Sequence, residues 1–121
     1  MHRLLLIAAL AASSSVAAAQ GVTVTLSEWK IGLSTDTVKA GSVTFRISNT
    51  GTITHGFYVR GDGVDKGTRD IPAKQSGTLV VAVKPGTYEV FCPMSDGSHK
   101  LAGMTRNLVV IAGEPAAPKK P

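Results

Sequence analysis

Apolar and polar residues alternate along several short stretches of this chain. Over residues 43–48 an apolar side chain occupies every second position, with hydroxyl or charged side chains between them. A period of two puts the apolar side chains of a strand on one face and the polar ones on the other. The same alternation over residues 22–26 predicts a first strand with Val22, Val24 and Leu26 on its buried face.

Further strands are predicted where β-branched and apolar runs lie between turn residues. They cover residues 53–60, 78–83, 87–92 and 107–111. Residues 27–31 extend the first strand, with Trp29 as an anchor in the core or at its rim. The turn Lys84-Pro85-Gly86 predicts a hairpin whose second strand leads to Cys92.

The glycine-rich residues 61–67 are predicted to form a surface excursion or a short helical turn. No stretch after the N-terminal twenty residues keeps a helical period over ten or more positions. Short strands with Gly and Pro turns between them therefore predict an all-β fold, an antiparallel β-sandwich.

The N-terminal residues differ in composition from the rest of the chain. His2-Arg3 gives a basic start, residues 4–12 are an apolar run, and residues 16–19 are small, as in a secretory signal peptide. A membrane anchor is the weaker interpretation, because the serines at 13–15 break the run before the ~20 residues that a spanning helix needs. We therefore expect a signal peptide at 1–19, a folded domain at 20–112 and a disordered Pro/Ala/Lys tail at 113–121.

Composition and charge limit the partners of the exported product, which we expect to be soluble and either periplasmic, in a bacterium, or secreted. The net charge of +5 includes Arg3 and two lysines of the tail, and no Lys/Arg cluster with aromatic residues is present. We therefore expect no nucleic-acid partner. We also expect a monomer with no stable insertion into a membrane.

The single cysteine has no partner in the chain for a disulfide. An inert buried thiol, a link to another chain and a metal ligand are the three interpretations. Cys92, His99 and Met104 place a thiolate, an imidazole and a thioether within thirteen residues. This soft donor set suits copper, and His55 can supply a second imidazole from elsewhere in the chain.

Most of the chain after the signal peptide resembles the small cupredoxins, the blue copper family that includes plastocyanin and azurin. The matching motifs are Lys39-Ala40-Gly41 before a Val-x-Phe-x-Ile strand, Asn49 six residues before His55-Gly56-Phe57, Pro85-Gly86-Thr87-Tyr88 leading to Phe91-Cys92, and His99 followed by Gly103-Met104. The resemblance implies that the all-β fold is a Greek-key antiparallel β-sandwich of about seven to eight strands, and that it holds one type 1 copper ion. Its ligands would be His55, Cys92, His99 and Met104.

The resemblance also implies that the edge of His99 is exposed and serves as the electron port. The apolar rim around it would be made of Pro93, Met94, Leu101 and Ala102.

The loop between Cys92 and His99 is longer than is common in the family. Residues 95–98 either bulge outward or let Met94 or Asp96 approach the metal. Because Pro93 has no N–H, a backbone hydrogen bond to the Cys92 sulfur has to come from a neighbour such as Gly56 or Met94.

These features together predict an exported electron carrier that cycles between Cu(I) and Cu(II). Its partners would be redox proteins, such as a c-type cytochrome or a membrane oxidase, in transient contact. We expect no enzymatic activity, because two histidines after the signal peptide are too few for a second, catalytic copper centre. The alternatives are a copper-binding or copper-delivery protein with copper as its cargo, and a metal-free interaction module.

Overall fold

The fold is described from a computed structural model, which covers residues 20–113. The predicted signal peptide and nearly all of the predicted tail lie outside the described residues. Within them, the elements are β1 (Gln20–Ser27), β2 (Lys30–Leu33), β3 (Thr37–Lys39), β4 (Gly41–Asn49), β5 (Tyr58–Gly61), β6 (Val64–Gly67), β7 (Ser76–Val83), β8 (Gly86–Phe91), α1 (Ser98–Leu101) and β9 (Thr105–Ile111).

Two sheets with a shared apolar core form the domain. One has the strand order β2-β1-β4-β7 and the other the order β3-β9-β8-β5-β6. The alternation read from the sequence is observed in β4, where Val43, Phe45 and Ile47 are buried. The ring of Phe45 lies 5.2 Å from that of Phe57, which precedes β5 and belongs to the same core. The predicted β-sandwich is thus confirmed.

Two strand pairs are parallel, so both sheets are mixed. Strand β1 runs parallel to β4, and β3 runs parallel to β9, while the other pairs are antiparallel. Between β1 and β4 the chain makes β2 in the first sheet and then crosses to the second sheet as β3. That crossover gives β4 the same direction as β1. The described residues hold nine strands, slightly more than the sequence predicted.

The first strand does not continue to residue 31. It ends at Ser27, which pairs with Lys30 across a two-residue turn made of Glu28 and Trp29, and β2 then runs back along β1. Trp29 therefore lies on an exposed turn at the rim of the domain, with 45% of its surface accessible.

The glycine-rich residues 61–67 form a hairpin and not a loop or a helical turn. Gly61 pairs with Val64, and the two residues between them, Asp62 and Gly63, have φ values of 39° and 76°. Positive φ at both positions is typical of a type I′ turn, for which Asp-Gly is a preferred sequence. The Asp62-Gly63 dipeptide is a hairpin signal in the sequence. The other glycine and charged residues of this segment favoured a surface excursion or a helical turn instead.

The predicted hairpin around Pro85 is wrong. Strand β7 pairs with β4, whereas β8 pairs with β5 and β9 in the other sheet. The hydroxyl of buried Tyr88 accepts from the N–H of Lys84 (3.0 Å) and donates to its carbonyl (2.8 Å). The Tyr88 hydroxyl is thus hydrogen-bonded to both the N–H and the carbonyl of Lys84. The turn forms a corner at which the chain passes from one sheet to the other.

Candidate metal centre

His55 reaches the site from the segment between β4 and β5. It forms an isolated bridge with Ile71, whose carbonyl accepts from the N–H of His55 (3.1 Å) and whose N–H donates back to the carbonyl of His55 (2.8 Å). Buried Asn49 holds the same segment, since its amide donates to the carbonyls of Ile53 and Ile71, both over 2.8 Å. Its side-chain oxygen accepts from the N–H of Gly51 (2.9 Å). The backbone of His55 is therefore fixed from both sides.

Cys92 and His99 are connected through the backbone of Met104. The N–H of Cys92 donates to the carbonyl of Met104 (3.1 Å), one rung beyond the β8–β9 ladder. The N–H of Met104 donates in turn to the carbonyl of His99 (3.1 Å). Cys92, His99 and Met104 are thus joined by two backbone hydrogen bonds.

The long segment between Cys92 and His99 folds on itself. The N–H of Gly97 donates to the carbonyl of Pro93 (3.2 Å), and that of Ser98 donates to Ser95 (3.0 Å). Ser95 and Asp96 have φ values of 55° and 52°, and both are exposed. The extra residues therefore bulge outward, one of the two arrangements that the sequence allowed, and α1 begins at Ser98, the last of them.

The side-chain donors of His55, Cys92 and His99 form a compact buried triangle. The two Nδ1 atoms lie 3.2 Å apart, and Sγ of Cys92 lies 3.9 Å from Nδ1 of His55 and 3.7 Å from Nδ1 of His99. The point equidistant from these three atoms lies about 2.1 Å from each, close to the bond lengths of about 2.0–2.3 Å that imidazole nitrogen and thiolate make to a metal. Two imidazoles and one thiolate around a point are the equatorial donor set of type 1 copper.

The sulfur of Cys92 accepts a hydrogen bond from the backbone N–H of Gly56 over 3.3 Å. This confirms the expectation that a neighbour would replace the N–H that Pro93 lacks. Donors to a metal-binding thiolate withdraw charge from the sulfur and so influence the potential of the metal.

Both histidines turn Nδ1 towards the triangle and Nε2 away from it. Nε2 of His99 lies 3.5 Å from the hydroxyl of Ser95, and Nε2 of His55 lies 3.5 Å from Oε1 of Glu28. Burial lowers the pKa of His55, although the nearby carboxylate of Glu28 opposes that effect. A neutral imidazole is the form that binds a metal.

Trp29 covers the histidines on the side facing solvent. Its ring contacts that of His99 edge-on, with centroids 4.8 Å apart, and lies 6.2 Å from that of His55. His99 is consequently only 6% exposed. The exposed imidazole edge that the family resemblance implied is not observed, because the β1–β2 turn places an indole over it.

The proposed axial ligand and the proposed rim differ in burial. Met104 is fully buried, Met94 is partly buried against the core, and Leu101 is 89% exposed. The sequence indicated the three donors of the triangle, but it did not mark Glu28 and left Trp29 open between the core and the rim. No motif marks either residue, because a two-residue turn between β1 and β2 brings them to the site from far along the chain.

A family model described as a cupredoxin-like domain matches residues 1–101, which include His55, Cys92 and His99. The chain belongs to the cupredoxin family. A solved structure of sodium-dithionite-reduced auracyanin, from the photosynthetic bacterium Roseiflexus castenholzii, matches this cupredoxin with a TM-score of 0.62 and 16% sequence identity. The match covers 77% of this chain and 98% of the auracyanin chain, and at this identity it shows the shared fold. No match was found among the curated proteins.

Family and geometry agree on the cofactor of this cupredoxin. His55, Cys92 and His99 together make up its type 1 copper site. Across residues 20–113 the cupredoxin contains no helix long and apolar enough to cross a membrane.

Proposed function

We propose that this cupredoxin is an exported one-electron carrier that works between a donor protein and an acceptor protein and has no enzymatic activity of its own. The observation that carries the proposal is the triangle of two Nδ1 atoms and one Sγ, buried and held by backbone hydrogen bonds. A copper ion bound there supplies a one-electron Cu(I)/Cu(II) couple.

The side chains have distinct roles in this proposal. His55, Cys92 and His99 would hold the metal through Nδ1, Sγ and Nδ1, and Met104 would offer a weaker thioether donor. The backbone N–H of Gly56 holds the sulfur in place (3.3 Å). Attachment of the ligands to the bridge at Ile71 and to the end of the β8–β9 ladder resists rearrangement when the charge of the site changes. Little rearrangement is what makes electron transfer fast.

Copper delivery is the second candidate, and the structure favours it less. A delivery site has to hand its metal to a partner, whereas these three donors are all buried and Trp29 covers the histidines. The described residues also include only Met94 and Met104 as methionines, so they contain no methionine-rich transfer motif.

We further propose that redox partners dock at the exposed apolar side chains next to the site. Trp29 contacts both histidines, Ile53 lies two residues before His55, and Leu101 lies two residues after His99. All three are exposed. Docking there would bring a partner close to the buried ligands through a small, short-lived interface. We propose a c-type cytochrome or a membrane oxidase as the partner class and an exported location, and the predicted signal peptide and the family support both.

A visible spectrum with added Cu(II) tests the site. We expect intense charge-transfer absorption in the wild type and its loss in Cys92→Ser, because the band needs a thiolate on the metal. A wild-type protein that stays colourless with Cu(II), or a Cys92→Ser variant that keeps the band, would overturn the assignment.

Two rates measured on the copper-loaded protein separate the carrier from the delivery protein. Stopped-flow mixing with a c-type cytochrome measures electron transfer, and mixing with a copper chelator measures release. We expect fast oxidation and slow release. Fast release without redox exchange would favour delivery.

Leu101→Ser should slow the reaction with the cytochrome and leave the spectrum unchanged, because residue 101 is exposed and contributes no ligand. Val80→Ser is the matched control, since Val80 is 53% exposed on the outer face of β7.

A further inference from the structure

The carboxylate of Glu28 is held by the loop that leads to His55. Glu28 lies in the β1–β2 turn, and its Oε1 accepts from the backbone N–H of Thr52 (2.7 Å), from the hydroxyl of Thr52 (3.2 Å) and from the backbone N–H of Ile53 (3.0 Å). The N–H of Thr52 is the main cause that lowers the pKa of Glu28 to about 2. The carboxylate is therefore an ordered anion at neutral pH.

Gly51 leaves the space that this carboxylate occupies. A Cβ at position 51 would lie 2.6 Å from each of the two carboxylate oxygens. Any larger residue at 51 would push the end of the Glu28 side chain out of its present place. The position of the carboxylate is thus set by Gly51 as well as by its hydrogen bonds.

The same oxygen lies beside an unpaired nitrogen of His55. Nε2 of His55 is the one buried side-chain nitrogen or oxygen in residues 20–113 that has no hydrogen-bond partner, and Oε1 of Glu28 lies 3.5 Å away. A neutral imidazole carries one N–H. If that proton is on Nε2, then Nδ1 keeps the lone pair that faces Cys92 and His99.

We propose that Glu28 is a positioning residue for His55. Oε1 of Glu28 accepts a hydrogen bond from the Nε2–H of His55, and this contact fixes the tautomer and the ring orientation that present Nδ1 of His55 to copper. The proposal rests on copper binding by His55, which is part of the proposed function. Carboxylates that accept the outer N–H of a histidine ligand typically contribute a factor of about 10–100 in metal affinity.

The metal-free protein tests the contact independently of copper. ¹⁵N NMR of the histidine side chains should show His55 protonated at Nε2 in the wild type and in Glu28→Gln, whose amide oxygen can still accept. In Glu28→Ala the two tautomers should mix. A tautomer equilibrium that is the same in the wild type and in Glu28→Ala would overturn the proposal, whether or not the protein proves to be an electron carrier.

Copper affinity measured by chelator competition gives the second readout. We expect Glu28→Ala to lose about 10–100-fold in Cu(II) affinity, with an altered EPR spectrum. Glu28→Gln should keep most of the affinity and raise the midpoint potential, because a nearby negative charge favours Cu(II). Asp65→Asn, which removes a carboxylate paired with Arg60 at an exposed site, is the control for charge alone. Equal affinity losses in Glu28→Gln and Glu28→Ala would exclude positioning.

Gly51→Ala displaces the carboxylate without changing it, so it covers the case in which Glu28→Ala folds poorly. We expect Gly51→Ala to weaken Cu(II) binding in the same way, and to have no further effect when Glu28 is already alanine. Wild-type affinity in Gly51→Ala, together with an undisturbed His55 tautomer, would count against the proposal.

Discussion

Each metal-binding side chain has a polar neighbour outside the triangle. Cys92 Sγ accepts from Gly56, His99 Nε2 faces Ser95, and His55 Nε2 faces Glu28. Ser95 and Glu28 face the outer nitrogens of the two histidines, whose Nδ1 atoms point at the triangle. Selecting Nδ1 in both histidines is therefore a property of the surrounding residues as much as of the ligands.

The two methionines near the site allow a matched test of the axial ligand. Met104 is fully buried and its backbone bonds to both Cys92 and His99, whereas Met94 is partly buried. We expect Met104→Leu to keep the thiolate band, change the ratio of the visible bands and raise the midpoint potential, because the axial ligand tunes that potential. Both leucine variants should lose less than about 1.5 kcal/mol of stability, since the side chains have similar volumes.

Met94→Leu is the control and should leave the spectrum and the potential unchanged. Visible spectroscopy and voltammetry measure both quantities. The reverse pattern, a shift in Met94→Leu alone, would make Met94 the axial ligand.

At the scale of elements, the turn between α1 and β9 is packed against the β1–β2 turn. Gly103 has a φ of 133°, and a Cβ there would lie 2.7 Å from the carbonyl oxygen of Trp29. This contact ties the ligand loop to the turn that supplies Glu28 and Trp29. Only glycine satisfies both the backbone conformation and the close approach.

We expect Gly103→Ala to lower the free energy of unfolding and to weaken copper binding. The strained backbone at residue 103 and the clash of its Cβ with the carbonyl of Trp29 both lie next to Met104. Strain of this kind costs about 1–3 kcal/mol. Gly63→Ala isolates the strain, since Gly63 has a φ of 76° and open space around it, and Gly21→Ala introduces neither effect. Chemical denaturation should rank the losses as Gly103→Ala, then Gly63→Ala, then Gly21→Ala. A Gly103→Ala variant no less stable than Gly63→Ala would argue against the packing.

The sequence predicted elements where local signals were strong. The alternation in β4 and the spacing of Cys92, His99 and Met104 depend on neighbouring residues, so they were readable. The parallel pairing of β1 with β4 depends on where the chain crosses between sheets, and the corner at Lys84 depends on β7 and β8 finding partners in different sheets. For the same reason Glu28 could not be predicted, since it meets His55 only after β2 has turned back on β1.

On the scale of the whole molecule, the site lies where loops from both sheets meet. His55 follows β4 of the first sheet, Cys92 follows β8 of the second, and the β1–β2 turn closes over them with Trp29. The core between the sheets holds the ends of these segments in place. The indole that lies against the histidines therefore belongs to neither ligand segment.

Removing the indole of Trp29 should open the site without removing a ligand. The ring lies edge-on to His99 and leaves it 6% exposed. We expect Trp29→Ala to release copper to a small chelator severalfold faster than the wild type, because the chelator then reaches the His99 side of the site. Trp29→Phe, which keeps a ring, should stay near the wild-type rate, and Val80→Ala serves as the control for loss of exposed apolar surface. If Trp29→Ala released copper no faster than Val80→Ala, the indole would not be the barrier that protects the site.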